Sequence, residues 1–184
     1  MKDLASNIVE AVRSAISVEA SLINLTVSED SAAHELIVEI ADNGSGTAPE
    51  QDRQAFSLFS GIRPAPGDDF GIPFLKASSE WTGGHFILVP EPGTGTAVTA
   101  VYRSDHADMV PVGDVGEAVF LLIVGNPQLD FVYRRAVDHL SFTLDTREMR
   151  ERLGGDANLS SPGIAAWIRE YLAEQEKLLS ATGI

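Results

Sequence analysis

A chain of 184 residues with 27 acidic and 13 basic side chains carries a formal charge of −14, which disfavours binding to nucleic acid or an anionic membrane, because both draw their affinity from clustered Lys and Arg. The absence of cysteine removes disulfides, thiolate metal sites, iron–sulfur ligation and cysteine nucleophiles together. Met1-Lys2-Asp3-Leu4-Ala5-Ser6-Asn7 lacks a signal core and no later segment has the length of an apolar span, so a cytoplasmic protein without membrane insertion is expected.

The first apolar pattern, over residues 2–16, places Leu4, Ile8, Val12, Ala15 and Ile16 on one helical face. Asp3, Asn7 and Ser14 form an adjoining stripe, and the four-residue spacing of Asp3 and Asn7 lets both reach one ligand from the same side. Ile23, Leu25 and Val27 alternate with polar residues as in a strand, and the polar run Ser28-Glu29-Asp30-Ser31 reads as the turn of a hairpin. The returning strand, Leu36 to Asp42, ends in Asp42-Asn43-Gly44-Ser45-Gly46, which suits either a tight turn or a strand that delivers a carboxylate beside closely approaching backbone.

Pro49 to Asp52 reads as the start of a helix with Ala55, Phe56 and Phe59 on its apolar side, and Ser60 to Asp69 is too rich in Gly and Pro for a helix or inner strand. A second helix runs from Phe70 to about Trp81, with Pro73 tolerated in its first turn, and Gly83-Gly84 ends it. Strands over Phe86–Val89 and Thr96–Arg103 flank a tight turn at Glu91-Pro92-Gly93-Thr94-Gly95.

Beyond residue 104 the pattern changes. Asp114 with Glu117 resembles a helix cap ahead of Val119–Val124, although a buried strand of that composition would look alike. Phe131–Tyr133 and Leu140–Leu144 read as short strands, Thr146 as the cap of a helix to Leu153, and Pro162 as the opening of a last amphipathic helix to about Leu179. Trp81, Trp167 and the phenylalanines are expected in the core. The four histidines, His34, His85, His106 and His139, lie in or beside strand-like segments and read as surface or partly buried structural residues, without zinc spacing.

Taken together, residues 1–103 resemble the Bergerat-fold ATP-binding domain of the GHKL superfamily, which includes the gyrase B subunit, heat-shock chaperone ATPases, sensor histidine kinases and MutL. The Asn-bearing first helix is similar to Asp3 through Ala11, and the first glycine box, Asp-x-Gly-x-Gly, matches Asp42-Asn43-Gly44-Ser45-Gly46. The closing hairpin with its Gly-x-Gly-Thr turn is similar to Gly83-Gly84 through Val98. The helix, the glycine box, the hairpin and its turn, in this order, carry weight that none has alone.

The resemblance implies an α+β fold: a two-layer α/β sandwich with a mixed, largely antiparallel sheet and helices on one face, over residues 1–104. Residues 105–184 would be a C-terminal α/β extension that packs on the first domain or presents a partner surface. It further implies ATP and Mg²⁺ as ligands. Asp42 would accept from the adenine amino group, with Gly44, Gly46, Gly71 and Thr96 around the nucleotide. Asn7 would be the Mg²⁺ ligand, and Asp3 would stand where hydrolytic members carry a Glu that activates water.

The second glycine box departs from Gly-x-Gly-Leu: Asp69-Phe70-Gly71-Ile72 keeps only the later glycine. A carboxylate of Asp68 or Asp69 about 5 Å from a phosphate charge would cost roughly 3 kcal/mol at an effective dielectric near 20; Arg63 and Lys76 are the cations near enough in sequence to offset it. The expectation is a stand-alone regulatory kinase or slow ATPase acting on a separate protein partner and not on its own histidines. The alternative is a non-catalytic interaction protein with degenerate phosphate binding.

Overall fold

A computed structural model of the chain describes residues 3–17, 19–45, 71–91 and 94–181. In chain order these are α1 (Leu4–Ser17), β1 (Leu22–Asp30), β2 (Glu35–Asp42), α2 (Ile72–Trp81), β3 (His85–Glu91), β4 (Gly95–Arg103), α3 (Val115–Gly125), β5 (Asp130–Val137), β6 (Leu140–Asp145), α4 (Thr146–Arg152) and α5 (Pro162–Ser180). The expected helix after Pro49, the loop from Ser60 to Asp69, Gly46 and the Pro92-Gly93 corner lie outside the described residues.

The six strands form one mixed sheet in the order β3-β4-β2-β1-β5-β6. Among the described residues only β1 and β5 run parallel, and the other pairings are antiparallel. Alternation decides which face is covered: Ile23, Leu25 and Val27 of β1 and Leu36, Val38 and Ile40 of β2 are buried, and Asn24 and Glu39 between them are exposed. Leu4, Ile8 and Val12 of α1, Leu75 of α2, Val119 and Ile123 of α3 and Ile168 and Leu172 of α5 complete the same core, so this is an α+β sheet with its helices packed on one face. Residues 105–181 extend the sheet through β5 and β6 and share that core.

Several local readings change. Ser28-Glu29-Asp30 is the end of β1, and the turn is residues 31–34, where His34 takes φ 53°. The apolar run after Asp114 is helical, with Asp114 Oδ1 accepting from the Glu117 N–H at 2.8 Å. Thr146 is not a cap: Asp145 accepts from the Arg147 N–H at 2.9 Å, while the buried Thr146 Oγ1 accepts from the Phe131 N–H at 2.8 Å. Strand β5 is longer than its apolar centre because Arg135, on its core face, is buried with ion pairs to Glu29 and Glu176. Trp167 is not in the core; it is 52% exposed.

Candidate functional site

Strand β2 lies between β1 and β4, and its last residue, Asp42, pairs across to Ile23 on one side and Thr96 on the other. A central strand end of this kind leaves the carboxylate half-buried. Burial pushes the Asp42 carboxyl above the usual carboxylate range, and hydrogen bonds from the backbone of Gly44 and Thr96 pull only part of the way back. The Gly44 N–H reaches Oδ1 at 2.8 Å.

Neighbouring residues hold this arrangement. Asn43 Oδ1 accepts from the N–H groups of Ser21 and Leu22, each at 2.9 Å, which fastens the strand end to the entry of β1. Gly95 has φ +122°, and a Cβ there would lie 1.9 Å from the Asp42 carbonyl oxygen, so no other residue fits. Since β2 pairs with β1 and β4 alone, the Asp42-Asn43-Gly44 run is not the turn of a hairpin.

The second cluster belongs to α1. Asn7 is 1% exposed, and its Nδ2 donates to the Asp3 carbonyl oxygen at 2.8 Å. That bond orients the amide, leaving Oδ1 buried with no hydrogen-bond partner among the described residues. An orphaned buried acceptor costs about 1–3 kcal/mol. A free amide oxygen of this kind fits a hard cation such as Mg²⁺, which takes oxygen ligands and keeps others from phosphate and water.

Asp3 is tied more closely to the helix itself. Its Oδ1 accepts from the Ser6 N–H at 2.9 Å and the Ser6 hydroxyl at 2.7 Å, the pattern of a helix cap. Burial pushes its carboxyl up, but the bonds from Ser6 outweigh it and the net position is below the usual carboxylate range. A carboxylate held in its ionised form is a weak proton acceptor.

The start of α1 is also anchored from the C-terminal half of the chain. The Leu4 and Ala5 N–H groups donate to the carbonyls of Pro111 and Val112 at 2.8 and 2.9 Å, satisfying donors that a helix start leaves open. Gly113 follows directly against the Asp3 side chain. Nothing in the Pro111-Val112-Gly113 stretch marked it in the sequence, because its part depends on a contact about 110 positions away.

Gly71, with φ +45°, packs on the backbone of α1 at Glu10 and Ala11, one turn beyond Asn7, and opens α2 with Pro73 in the first turn. Lys76 is paired with Glu80 at 2.5 Å. Arg63, Asp68 and Asp69 fall outside the described residues, as does Gly46. Thus Asp42, Gly44 and Thr96 come together at one place, and Asp3, Asn7 and Gly71 gather along α1. With a rise of about 1.5 Å per residue, Asn7 lies roughly 15 Å along the helix from Ser17, the end from which the chain turns into β1 beside Asp42. Among the described residues no group of three or more His, Cys, Asp and Glu side chains forms a metal cluster, and the four histidines are exposed.

Residues 1–106 match the family described as histidine kinase-, DNA gyrase B-, and HSP90-like ATPase. The chain belongs to this family. Among curated proteins, this ATPase-family chain is 24% identical over 172 residues to the virulence sensor protein BvgS of Bordetella bronchiseptica, an alignment covering 90% of this chain and 14% of BvgS. It therefore spans a small part of that relative's length. Among solved structures, the Aquifex aeolicus MutL ATPase domain complexed with ADP superposes with a TM-score of 0.52 at 13% identity, covering 84% of this chain and 68% of that one. That likeness shows the shared fold.

Proposed function

We propose that this chain binds ATP with Mg²⁺ and acts as a nucleotide-dependent regulator of a separate protein, as a kinase or a slow ATPase. The observation that carries the reading is the buried Asn7 Oδ1, oriented by the Asp3 carbonyl and left without a partner among the described residues. In this reading Asp42 accepts from the adenine amino group beside Gly44 and Gly46, while Thr96 closes the same end of the site. Gly71 brings the N-terminus of α2 against α1, the end of a helix whose dipole favours a phosphate. Bound Mg²⁺ would supply charge neutralisation for the phosphates, with Asn7 as its protein ligand. Membership of the ATPase family supports the nucleotide, and the MutL domain was solved with ADP. Among the described residues no helix is long and apolar enough to cross a membrane.

The capping role of Asp3 favours a second reading, in which nucleotide is bound but not turned over and the fold serves as an interaction module. Calorimetric titration with ATP and ADP, with and without Mg²⁺, on wild type and Asp42→Asn tests the first step. Saturable binding that Asp42→Asn weakens by about tenfold or more is expected. No heat and no thermal shift under any condition would sink the proposal. Phosphate release measured on the same samples then separates turnover from binding alone.

A further inference from the structure

The far end of the sheet from β3 carries a groove of about 650 Å³ between α4 and α5, with Leu144 of β6 in its lining. Met149 and Leu153 line it from the α4 side, and Ile164, Trp167 and Tyr171 from α5. Two of these are large apolar side chains held open to solvent: Trp167 is 52% and Leu153 51% exposed. Trp167 is nonetheless fixed in place. Its ring stacks on Tyr171 at 5.2 Å and 13°, Tyr171 meets Phe142 edge-on at 6.3 Å, and Phe142 meets the buried Tyr133 at 5.6 Å. A rigid aromatic anchored to the core yet half-exposed loses little entropy on contact, the property of binding hot spots.

The charges around the groove select its occupant. Glu148 lines it, and the exposed Glu170 and Glu174 follow Trp167 by three and seven residues along α5. The cations at the groove already face acids: Arg147 is bonded to Asp145 at 2.6 Å, and Arg152, itself part of the lining, stands 4.0 Å from Glu148, which leaves Glu170 and Glu174 as the acids beyond these pairs. A second copy of the chain would bring the same acidic rim and another −14 of charge, which opposes self-association. None of these residues takes part in the nucleotide site, so the inference stands apart from that reading.

We infer that the groove between α4 and α5 is a docking site for a basic segment of a partner protein, anchored by a large apolar side chain placed against Trp167 and ringed by Lys or Arg toward Glu148, Glu170 and Glu174. Partner recognition is thereby assigned to the C-terminal part of the chain, and nucleotide to the N-terminal part.

The test uses the full chain with Trp81→Phe, which leaves Trp167 as its one tryptophan. A synthetic amphipathic Lys/Leu peptide is titrated against it by fluorescence, alongside its Lys→Glu and Leu→Ala counterparts. The expected result is a saturable change in Trp167 emission with the Lys/Leu peptide alone, weakened by added salt. In calorimetry, Trp167→Ala and Leu153→Ala should each weaken binding about tenfold or more, while ATP titration stays unchanged. Equal binding by Trp167→Ala, equal binding of the Glu/Leu peptide, or no binding of the Lys/Leu peptide would overturn the inference. So would a dimer of the chain that Trp167→Ala dissolves, since the occupant would then be a second copy.

Discussion

Gly113 is closed directly against Asp3: a Cβ at position 113 would lie 2.3 Å from the Asp3 Cγ and 2.4 Å from its Oδ2. The residue that caps α1 is thus held by a segment 110 positions later, next to the carbonyls of Pro111 and Val112 that receive the first N–H groups of the helix.

Gly113→Ala should therefore push Asp3 out of place and strain a backbone at φ +75°, at a cost of about 1–3 kcal/mol. Because Asp3 orients the Asn7 amide, the Mg²⁺-dependent part of ATP affinity should drop while adenosine binding is kept. Calorimetry with ATP and with adenosine checks this; parallel losses for both ligands would show that position 113 acts only through overall stability.

Asn7→Leu removes the unpaired oxygen and its partner bond together, in a side chain of similar size. Stability should change by less than about 1 kcal/mol, since the burial cost of the orphaned oxygen is relieved while the Asp3 carbonyl keeps its bond from the Asn7 N–H at 3.4 Å. Nucleotide binding should lose its dependence on Mg²⁺. An Asn7→Leu variant that still responds to the metal would remove Asn7 from the ligand set.

Asp42 gives a pH prediction with opposite signs for folding and binding. Its carboxyl is raised by burial, so the folded chain holds that proton more tightly than the unfolded one. This contribution favours the fold below the ordinary carboxyl pKa and is lost as pH rises through the raised value. Asp42→Asn should thus leave the melting temperature at neutral pH unchanged or higher, yet cost roughly 1.5–3 kcal/mol of nucleotide affinity, the worth of a hydrogen bond to a charged group. In wild type, affinity should fall on acidification starting above the usual carboxylate range, and calorimetry across a pH series reads this directly.

Asn is as good a helix cap as Asp, so Asp3→Asn should fold normally, within about 1 kcal/mol of wild type. That makes it a clean probe of turnover: if wild type releases phosphate and the variant does so at the same rate, Asp3 is not the base.

Arg135→Leu should destabilise the chain by about 3–5 kcal/mol, the cost of removing one partner from a buried ion pair. Arg135 is 7% exposed, with Glu29 on β1 and Glu176 on α5 as its partners, and Tyr133 donates to the same Glu176 at 2.6 Å. Chemical denaturation with the Glu29→Gln variant as comparison measures it.

The residues that periodicity and turn chemistry govern were legible from the chain itself. The apolar face of α1, the alternation of β1, β2 and β4, the Asp114 cap and the place of Asp42 at the end of β2 all depend on neighbours within a few positions. The family was legible for the same reason, since its motifs are short and local.

What depends on distant partners was decided only in three dimensions. The parallel pairing of β1 with β5 joins residues 105–181 to the same sheet, and Arg135 could be buried on its face only because two acids from other elements meet it. Trp167 reads as core by composition, but α4 leaves a groove beside it and its ring stays half in solvent. The Thr146 hydroxyl, which suited a cap, is turned instead to the backbone of β5. The Asn7 oxygen left without a partner among the described residues could not be read from its type or spacing, because it follows from one carbonyl taking the amide hydrogen and from tertiary packing that buries the rest.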